Sequence, residues 1–149
     1  MAKLDDILDL DRIRTGVSAV GKKRVLEEIS QLLAKGTGDS SADDILASLA
    51  GREKLGSTGL GHGVAIPHGR IAGVSHAVGA FMRLRHPVEY AAHDGNPVDL
   101  VFGLLVPRQS TDEHLQILSR LAENFADEAF CRQVREAPDA PALLTLLTA

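Results

Sequence analysis

The sequence contains a single cysteine, Cys131, so no disulfide can form within the chain and a reducing compartment fits best. The net charge of −4 provides no excess of basic residues. Broad nucleic-acid binding is therefore not expected, because few counterions would be displaced from a phosphate backbone. The 14 glycines and 6 prolines follow no fixed period, which excludes a collagen-like rod or a coiled coil.

No segment of the sequence predicts insertion into a membrane. The longest apolar run, residues 100–106, is far shorter than the ~20 residues that span a bilayer. The N-terminal residues are acidic early and lack an apolar signal-peptide core. We therefore expect a cytoplasmic protein that does not bind membranes.

The sequence does contain enough apolar residues to form one hydrophobic core. Hydrophobic residues make up 44 % of the 149 residues, which excludes disorder as the main state. A chain of this length buries roughly 70 % of its unfolded surface on folding. The only plausible linker, residues 35–39, is too short to separate two domains. We therefore expect a single domain over residues 1–149.

The spacing of apolar residues predicts two helices in the first third of the chain. Residues 22–35 carry apolar side chains on one helical face, and glycines follow as a stop signal. A second helix is expected to begin near Ser40 or Ser41, where Asp43 or Asp44 follows in a pattern like a capping box.

Three further helices are predicted in the C-terminal third. Their N-terminal signals are a Ser110-x-x-Glu113 capping box, Asp127 and Asp139.

The middle of the chain has the pattern of strands. Residues 56–63 hold four glycines and are expected to be irregular, and residues 63–66 read as a short strand that Pro67 ends. Residues 78–84 alternate with period two, and the apolar run 98–106 predicts a central strand covered on both faces. This order predicts a sheet layered with helices, and leaves the strand directions open.

One motif, GHGVAIPHGR at residues 61–70, has the pattern of a reactive site. Pro67 fixes its own φ and restricts Ile66 to extended backbone. Gly69 lets the chain turn away without a side chain beside the imidazole. The sequence therefore predicts that His68 stands at a strand terminus on a stiff backbone, with open space next to it. The alternative is a surface-loop histidine without a chemical role.

Other chemistries fit the sequence less well. The glycines lack the Gly-Lys-Ser/Thr of a P-loop and precede a strand, unlike a dinucleotide-binding fingerprint. No Gly-x-Ser-x-Gly elbow is present. His62, His68 and His114 could supply three nitrogen ligands to zinc, although no cysteine or carboxylate partner is evident nearby.

The same motif carries a resemblance to a known family. Residues 52–61 and 63–69 (REKLGSTGLG and GVAIPHG) resemble the phosphorylation-site signature of the mannitol/fructose-type enzyme IIA domains of the bacterial phosphoenolpyruvate-dependent phosphotransferase system. Residues 97–107 resemble the family's central strand, and residues 114–118 resemble its second-histidine helix. His62 departs from the pattern, where a small or polar residue is expected.

The resemblance runs from about Leu8 to the C-terminus and is strongest with the nitrogen-regulatory branch of the family. It implies an α/β fold in which a mixed β-sheet is flanked by helices on both faces. The whole chain would then form one enzyme IIA domain of type 2.

The resemblance also implies phosphoryl transfer through histidine. It places the phosphoryl group on Nε2 of His68, with Nδ1 held by a hydrogen-bond acceptor. Arg52 and His114 correspond to the other site positions of the family. Ser57 and Thr58 are further hydroxyl donors that could support the phosphate.

The implied donor is a small histidine phosphocarrier protein, and the implied output is regulation of target proteins by phosphorylation state. No cofactor or metal is needed, because the donor already carries a phosphohistidine. A sugar-specific enzyme IIA that passes phosphate to a IIB domain is one alternative. A histidine metal-binding or interaction module without catalytic activity is another.

The remaining histidines and the cysteine show no chemical spacing. His76, His86 and His93 are expected to be ordinary surface residues. Cys131 lies in a predicted helix beside apolar residues and is expected to be a packed thiol.

Overall fold

The computed structural model describes residues 4–38, 40–109 and 112–149. The helices within these ranges are α1 Lys22–Ala34, α2 Ala42–Glu53, α3 Asp112–Ala126, α4 Glu128–Glu136 and α5 Ala140–Thr148. The strands are β1 Ile13–Val17, β2 Gly59–Gly61, β3 Val64–Ala65, β4 His68–Ile71, β5 Val78–Val88 and β6 Val98–Pro107. None of these helices has the length and apolar character needed to cross a membrane.

The helix starts follow the capping signals of the sequence where the structure describes them. The Ser41 side chain accepts a hydrogen bond from the backbone N–H of Asp44 at 3.1 Å and caps α2. Asp127 and Asp139 cap α4 and α5 in the same way, as predicted. Ser110 and the side chain of Glu113, the predicted capping box before α3, lie outside the described residues.

The sheet is mixed, with strand order β1-β5-β6-β3-β2 and β4 as an additional partner of β6. β6 is antiparallel to β5 and parallel to both β3 and β4, which follow each other along the same edge. This arrangement confirms the mixed sheet that the resemblance implied.

Helices cover both faces of the sheet. Along β6, Leu104 contributes to the core beneath α3, α4 and α5, while Val101 and Leu105 contribute to the core beneath α1 and α2. At Gly103 a Cβ would lie 2.6 Å from Cγ1 of Ile29, so only glycine lets α1 approach this closely. The central position predicted for the 98–106 strand is therefore confirmed.

Two expectations for the middle of the chain are wrong. The glycine-rich segment is not wholly irregular, because Gly59–Gly61 forms β2 and pairs with β3. The tight turn between them has positive φ at His62 (58°) and Gly63 (80°), which matches the twist that two-residue hairpins favour. The strand expected over residues 63–66 is also shorter, because only Val64–Ala65 pairs as β3.

Candidate functional site

His68 is the first residue of β4 and lies opposite Leu104 of β6. The predicted strand terminus is confirmed, but the chain does not turn away after it, because β4 continues to Ile71. Gly69 is required for packing and not for a turn. A Cβ on Gly69 would collide with the hydroxyl of Ser48 and lie 3.2 Å from its backbone carbon, so the glycine lets α2 pack against β4.

The His68 ring is oriented by the backbone. Its Nδ1 lies 2.8 Å from the carbonyl oxygen of Ile66. A carbonyl can only accept a hydrogen bond, so Nδ1 carries the proton and Nε2 keeps its lone pair. The N–H of Ile66 donates to the carbonyl of Thr58 at 3.0 Å, and Leu104 donates to the carbonyl of Pro67 at 3.0 Å. The expectation that Nδ1 is held by an acceptor is confirmed.

The environment keeps the His68 imidazole neutral near pH 7. Burial lowers the pKa of His68 below its ordinary value of 6.5, because the charged form loses hydration. The hydrogen bond to Ile66 opposes this shift, and the charges of Arg52 and Glu53 shift the pKa down and up, respectively. A neutral ring with a free Nε2 is the nucleophilic form of histidine.

His114 lies beside His68 in the first turn of α3. Its ring stands edge-on to the His68 ring, with centroids 5.3 Å apart and an interplanar angle of 65°. Burial lowers the pKa of His114, and the charges of His68, Arg70 and Arg52 lower it further. Nδ1 of His114 is buried and has no hydrogen-bond partner among the described residues. The structure therefore brings His68 and His114 together, as predicted.

Arg52 lies in the last turn of α2 and faces the same region. Its Nη1 donates to the carbonyl of Gly56 at 2.9 Å. Arg52 and His68 line two cavities together, one of about 240 Å³ and one of about 350 Å³ that also includes His114. A guanidinium in this place can donate hydrogen bonds to the oxygens of an anionic group beside His68.

Ser57 and Thr58 also line the smaller cavity, but their hydroxyls already have partners. Ser57 donates to the carbonyl of Tyr90 at 3.1 Å. The Thr58 hydroxyl contacts both the carboxylate of Glu53 and the hydroxyl of Tyr90. Each hydroxyl has one hydrogen to donate, so binding phosphate would require them to exchange these partners. Their role at the phosphate stays a prediction.

Three residues at the site escaped sequence reasoning. His93 is exposed, as expected, and it also lines the smaller cavity with His68. Glu53 and Tyr90 lie behind the glycine loop, where burial raises the pKa of the Tyr90 phenol and keeps it protonated. Glu53 lies inside the 52–61 signature but received no role from the sequence. No motif or spacing marks His93 or Tyr90, because the loop and the β5–β6 connection meet only in the folded chain.

The zinc interpretation is not supported. His62 lies in the β2–β3 turn, where its Nδ1 is 4.0 Å from a carboxylate oxygen of Glu128. Within residues 4–38, 40–109 and 112–149, no three His, Cys, Asp or Glu side chains are grouped so that they could hold a metal ion.

Cys131 is the packed thiol that the sequence predicts. It is buried, its Sγ donates to the carbonyl of Phe125 at 3.2 Å, and burial raises its pKa. The thiolate form that reacts is therefore disfavoured.

Comparison with known proteins identifies the family of this chain. Residues 6–149 match the family model described as "Phosphoenolpyruvate-dependent sugar phosphotransferase system, EIIA 2". The chain is 44 % identical over 148 residues to the nitrogen regulatory protein of Pseudomonas aeruginosa, covering 99 % of this chain and 96 % of that protein. It is 30 % identical to the fructose-specific EIIABC component of Bacillus subtilis, covering 97 % of this chain but 23 % of that protein.

The solved structures agree with the sequence relatives. The crystal structure of the nitrogen regulatory protein IIA-Ntr from Neisseria meningitidis superposes with a TM-score of 0.92 at 46 % identity, covering 97 % of this chain and 98 % of that one. The chain therefore belongs to the EIIA 2 family of the phosphoenolpyruvate-dependent phosphotransferase system.

Proposed function

We propose that the protein carries a phosphoryl group on Nε2 of His68. The observation that carries this proposal is the 2.8 Å contact from Nδ1 to the Ile66 carbonyl, which leaves Nε2 as the nucleophilic atom. His68 lies on the walls of two open cavities, so a donor group can approach the ring. Membership of the EIIA 2 family supports a role as a phosphoryl carrier.

The transfer step uses the lone pair on Nε2. This lone pair attacks the phosphorus of a phosphohistidine on the donor, a new N–P bond forms, and the donor's N–P bond breaks with its electron pair returning to the donor imidazole. The proton on Nδ1 of His68 stays in place, so the ring gains positive charge as the new bond forms. The Ile66 carbonyl accepts from that N–H and stabilises the developing charge.

Arg52 and His114 act on the phosphoryl oxygens in this proposal. Transfer between two histidines requires mainly positioning and charge stabilisation. The Arg52 guanidinium supplies a charge-assisted donor from the α2 side, and His114 faces His68 from α3.

The donor in this proposal is a small histidine phosphocarrier protein, and the output is regulation of target proteins by the phosphorylation state of His68. The regulatory role is supported by a relative named "Nitrogen regulatory protein" that is 44 % identical over 148 residues, against 30 % identity for the fructose-specific component. Transfer to a sugar-specific IIB domain is the second candidate, because that fructose component does match this chain.

Intact-mass measurement tests the phosphorylation site. The protein is incubated with phosphoenolpyruvate, the first enzyme of the system and the phosphocarrier protein, and one acid-labile phosphoryl group is expected. His68→Ala should gain none. His93→Ala is the matched control, because His93 lines the same cavity and should still be phosphorylated. Phosphorylation of His68→Ala would show that the assignment is wrong.

Partner binding separates the two candidate outputs. Target proteins captured by the unmodified and the phosphorylated protein are compared, and transfer to a purified IIB domain is assayed in parallel. A regulator should bind specific targets with affinities that differ between the two forms. Equal affinity for both forms, together with rapid transfer to the IIB domain, would favour the sugar-specific role.

A further inference from the structure

A buried carboxylate lies directly behind the glycine loop of the site. The Glu53 side chain is 5 % exposed, and its Oε1 lies 2.8 Å from Nζ of Lys22. Thr58 donates its backbone N–H to the same oxygen at 3.1 Å and its hydroxyl to Oε2. A buried carboxylate is tolerated only when it is paired and hydrogen-bonded, and here each oxygen has a partner. The Glu53 carboxylate is therefore fixed in place and fixes Thr58 in turn.

Hydrogen bonds continue from Thr58 to the ring of His68. The Thr58 carbonyl accepts the N–H of Ile66 at 3.0 Å, and the Ile66 carbonyl accepts Nδ1–H of His68 at 2.8 Å. Glu53 holds Thr58 at both its N–H and its hydroxyl. The N–H of Gly59, in the same peptide unit as the Thr58 carbonyl, donates to the Ser57 hydroxyl at 3.1 Å, so these contacts together orient that carbonyl. The position of that carbonyl determines how Ile66 is held.

The sheet alone does not hold Ile66 in this orientation. Ile66 lies between β3 and β4, and its N–H bonds to the glycine loop instead of to β6. On its other side Pro67 has no N–H to donate, and only its carbonyl is bonded to β6, by Leu104. The orientation of the Ile66 carbonyl therefore depends on the contact with Thr58 as well as on the extended backbone that Pro67 imposes on Ile66.

We propose that Glu53 is a positioning residue for the phosphoryl acceptor: through Thr58 and Ile66 it holds His68 in the tautomer that has Nδ1 protonated and Nε2 free. The inference rests on the proposed function, because that tautomer matters when Nε2 is the attacking atom. Lys22 completes the arrangement by neutralising the carboxylate, and it also lies 4.5 Å from the ring centroid of Tyr90.

The position and the charge of the Glu53 carboxylate make separable contributions to the state of His68. Among the charged groups near His68, Glu53 raises the pKa of the imidazole, while Arg52 lowers it. His114, the titratable neighbour on α3, has its own pKa lowered by burial. His68 is neutral near pH 7 already, so losing the Glu53 charge would not increase the fraction of His68 in its neutral, nucleophilic form. A large loss of rate would instead report the wrong tautomer.

Two conservative variants divide these contributions. Glu53→Asp keeps the charge beside Lys22 but shortens the reach to Thr58, whereas Glu53→Gln keeps the reach and removes the charge. Glu27→Asp and Glu27→Gln are the matched controls, because Glu27 is on α1 and its side chain is 34 % exposed. Imidazole ¹⁵N shifts of the unphosphorylated protein, recorded well above the pKa of His68, report the tautomer, and a pH titration reports that pKa.

We expect Glu53→Asp to lower the population of the Nδ1–H tautomer and to slow phosphoryl transfer on the order of 10- to 100-fold, as misplacement of a reacting group does. Glu53→Gln should keep the tautomer and most of the rate, while the pKa of His68 falls. The Glu27 variants should change none of these quantities.

The two outcomes that overturn the inference are distinct from failure of the proposed function. A wild-type tautomer in folded Glu53→Asp removes the positioning role. A loss of the Nδ1–H tautomer in Glu53→Gln as large as in Glu53→Asp assigns the effect to charge alone. Both readouts come from unphosphorylated protein. If the wild-type protein accepts no phosphoryl group, the proposed function fails whichever tautomer the spectra show.

Discussion

Replacing Arg52 by alanine should separate a large loss of transfer rate from a small loss of stability. Among the residues that the structure describes, the Arg52 side chain makes one hydrogen bond, to the carbonyl of Gly56. Losing it costs about 1 kcal/mol, which lowers the melting temperature by about 2–4 °C for a chain of this size. At the phosphoryl group, losing one charge-assisted donor costs on the order of 2–4 kcal/mol of transition-state stabilisation, or roughly 30- to 1000-fold in rate.

The assay is single-turnover transfer from the phosphorylated carrier protein, with thermal unfolding measured on the same samples. Arg52 also lowers the pKa of His68, so Arg52→Ala should raise that pKa in an NMR titration. Arg52→Lys is the informative control, since it restores the charge without the planar fork and should recover the pKa more fully than the rate. An unchanged rate with an intact fold would refute the assignment of Arg52 to the phosphoryl oxygens.

Three further predictions follow from neighbouring features. His114→Ala should slow single-turnover transfer while leaving the mass of the phosphorylated product unchanged; an unaltered rate would leave His114 as a packing residue. Gly69→Ala should destabilise the fold by about 1–3 kcal/mol through overpacking against Ser48 of α2. Gly51→Ala is the control on α2: a Cβ there meets open space, so the variant should be neutral or stabilising in thermal melts. The free energy of unfolding should fall as pH drops below about 6.5. The lowered pKa values of His68 and His114 keep both rings neutral in the native state, whereas the unfolded chain binds protons at these positions. Denaturant melts of the double variant with Gln at both positions should show a smaller decline.

The helices and the central strand could be predicted because their signals are local. A capping residue such as Ser41 or Asp127 bonds to an N–H two or three residues away, so the sequence holds both partners. The apolar run of β6 needs only to be buried on both faces, which its composition already indicates.

The short strands, and the buried contacts of the site such as that between Tyr90 and Thr58, could not be predicted in the same way. β3 has two residues and β4 has four, and each forms only because β6 offers a free edge beside it. Likewise, His68 was found from its proline and glycine neighbours, whereas Tyr90 meets the Thr58 hydroxyl across 32 positions of chain. Contacts of this kind depend on the topology of the whole sheet, which local periodicity does not encode.

The site also indicates what kind of signal phosphorylation would send under the proposed function. His68 is held by pairing to β6 and by the Ile66 carbonyl, and Gly69 is packed against α2, so the ring can gain a phosphoryl group without a change of fold. By analogy with other phosphorylated side chains, the group adds about −1.5 to −2 charges. This charge appears beside Arg52 and His114, on the rim of cavities that face solvent. A target that packs over the neutral ring would have to desolvate the new charge, so the two forms would differ in affinity through local electrostatics alone. A coupling of roughly 1–3 kcal/mol between phosphorylation and target binding needs no more than this local change in charge, and it requires no second conformation of the protein.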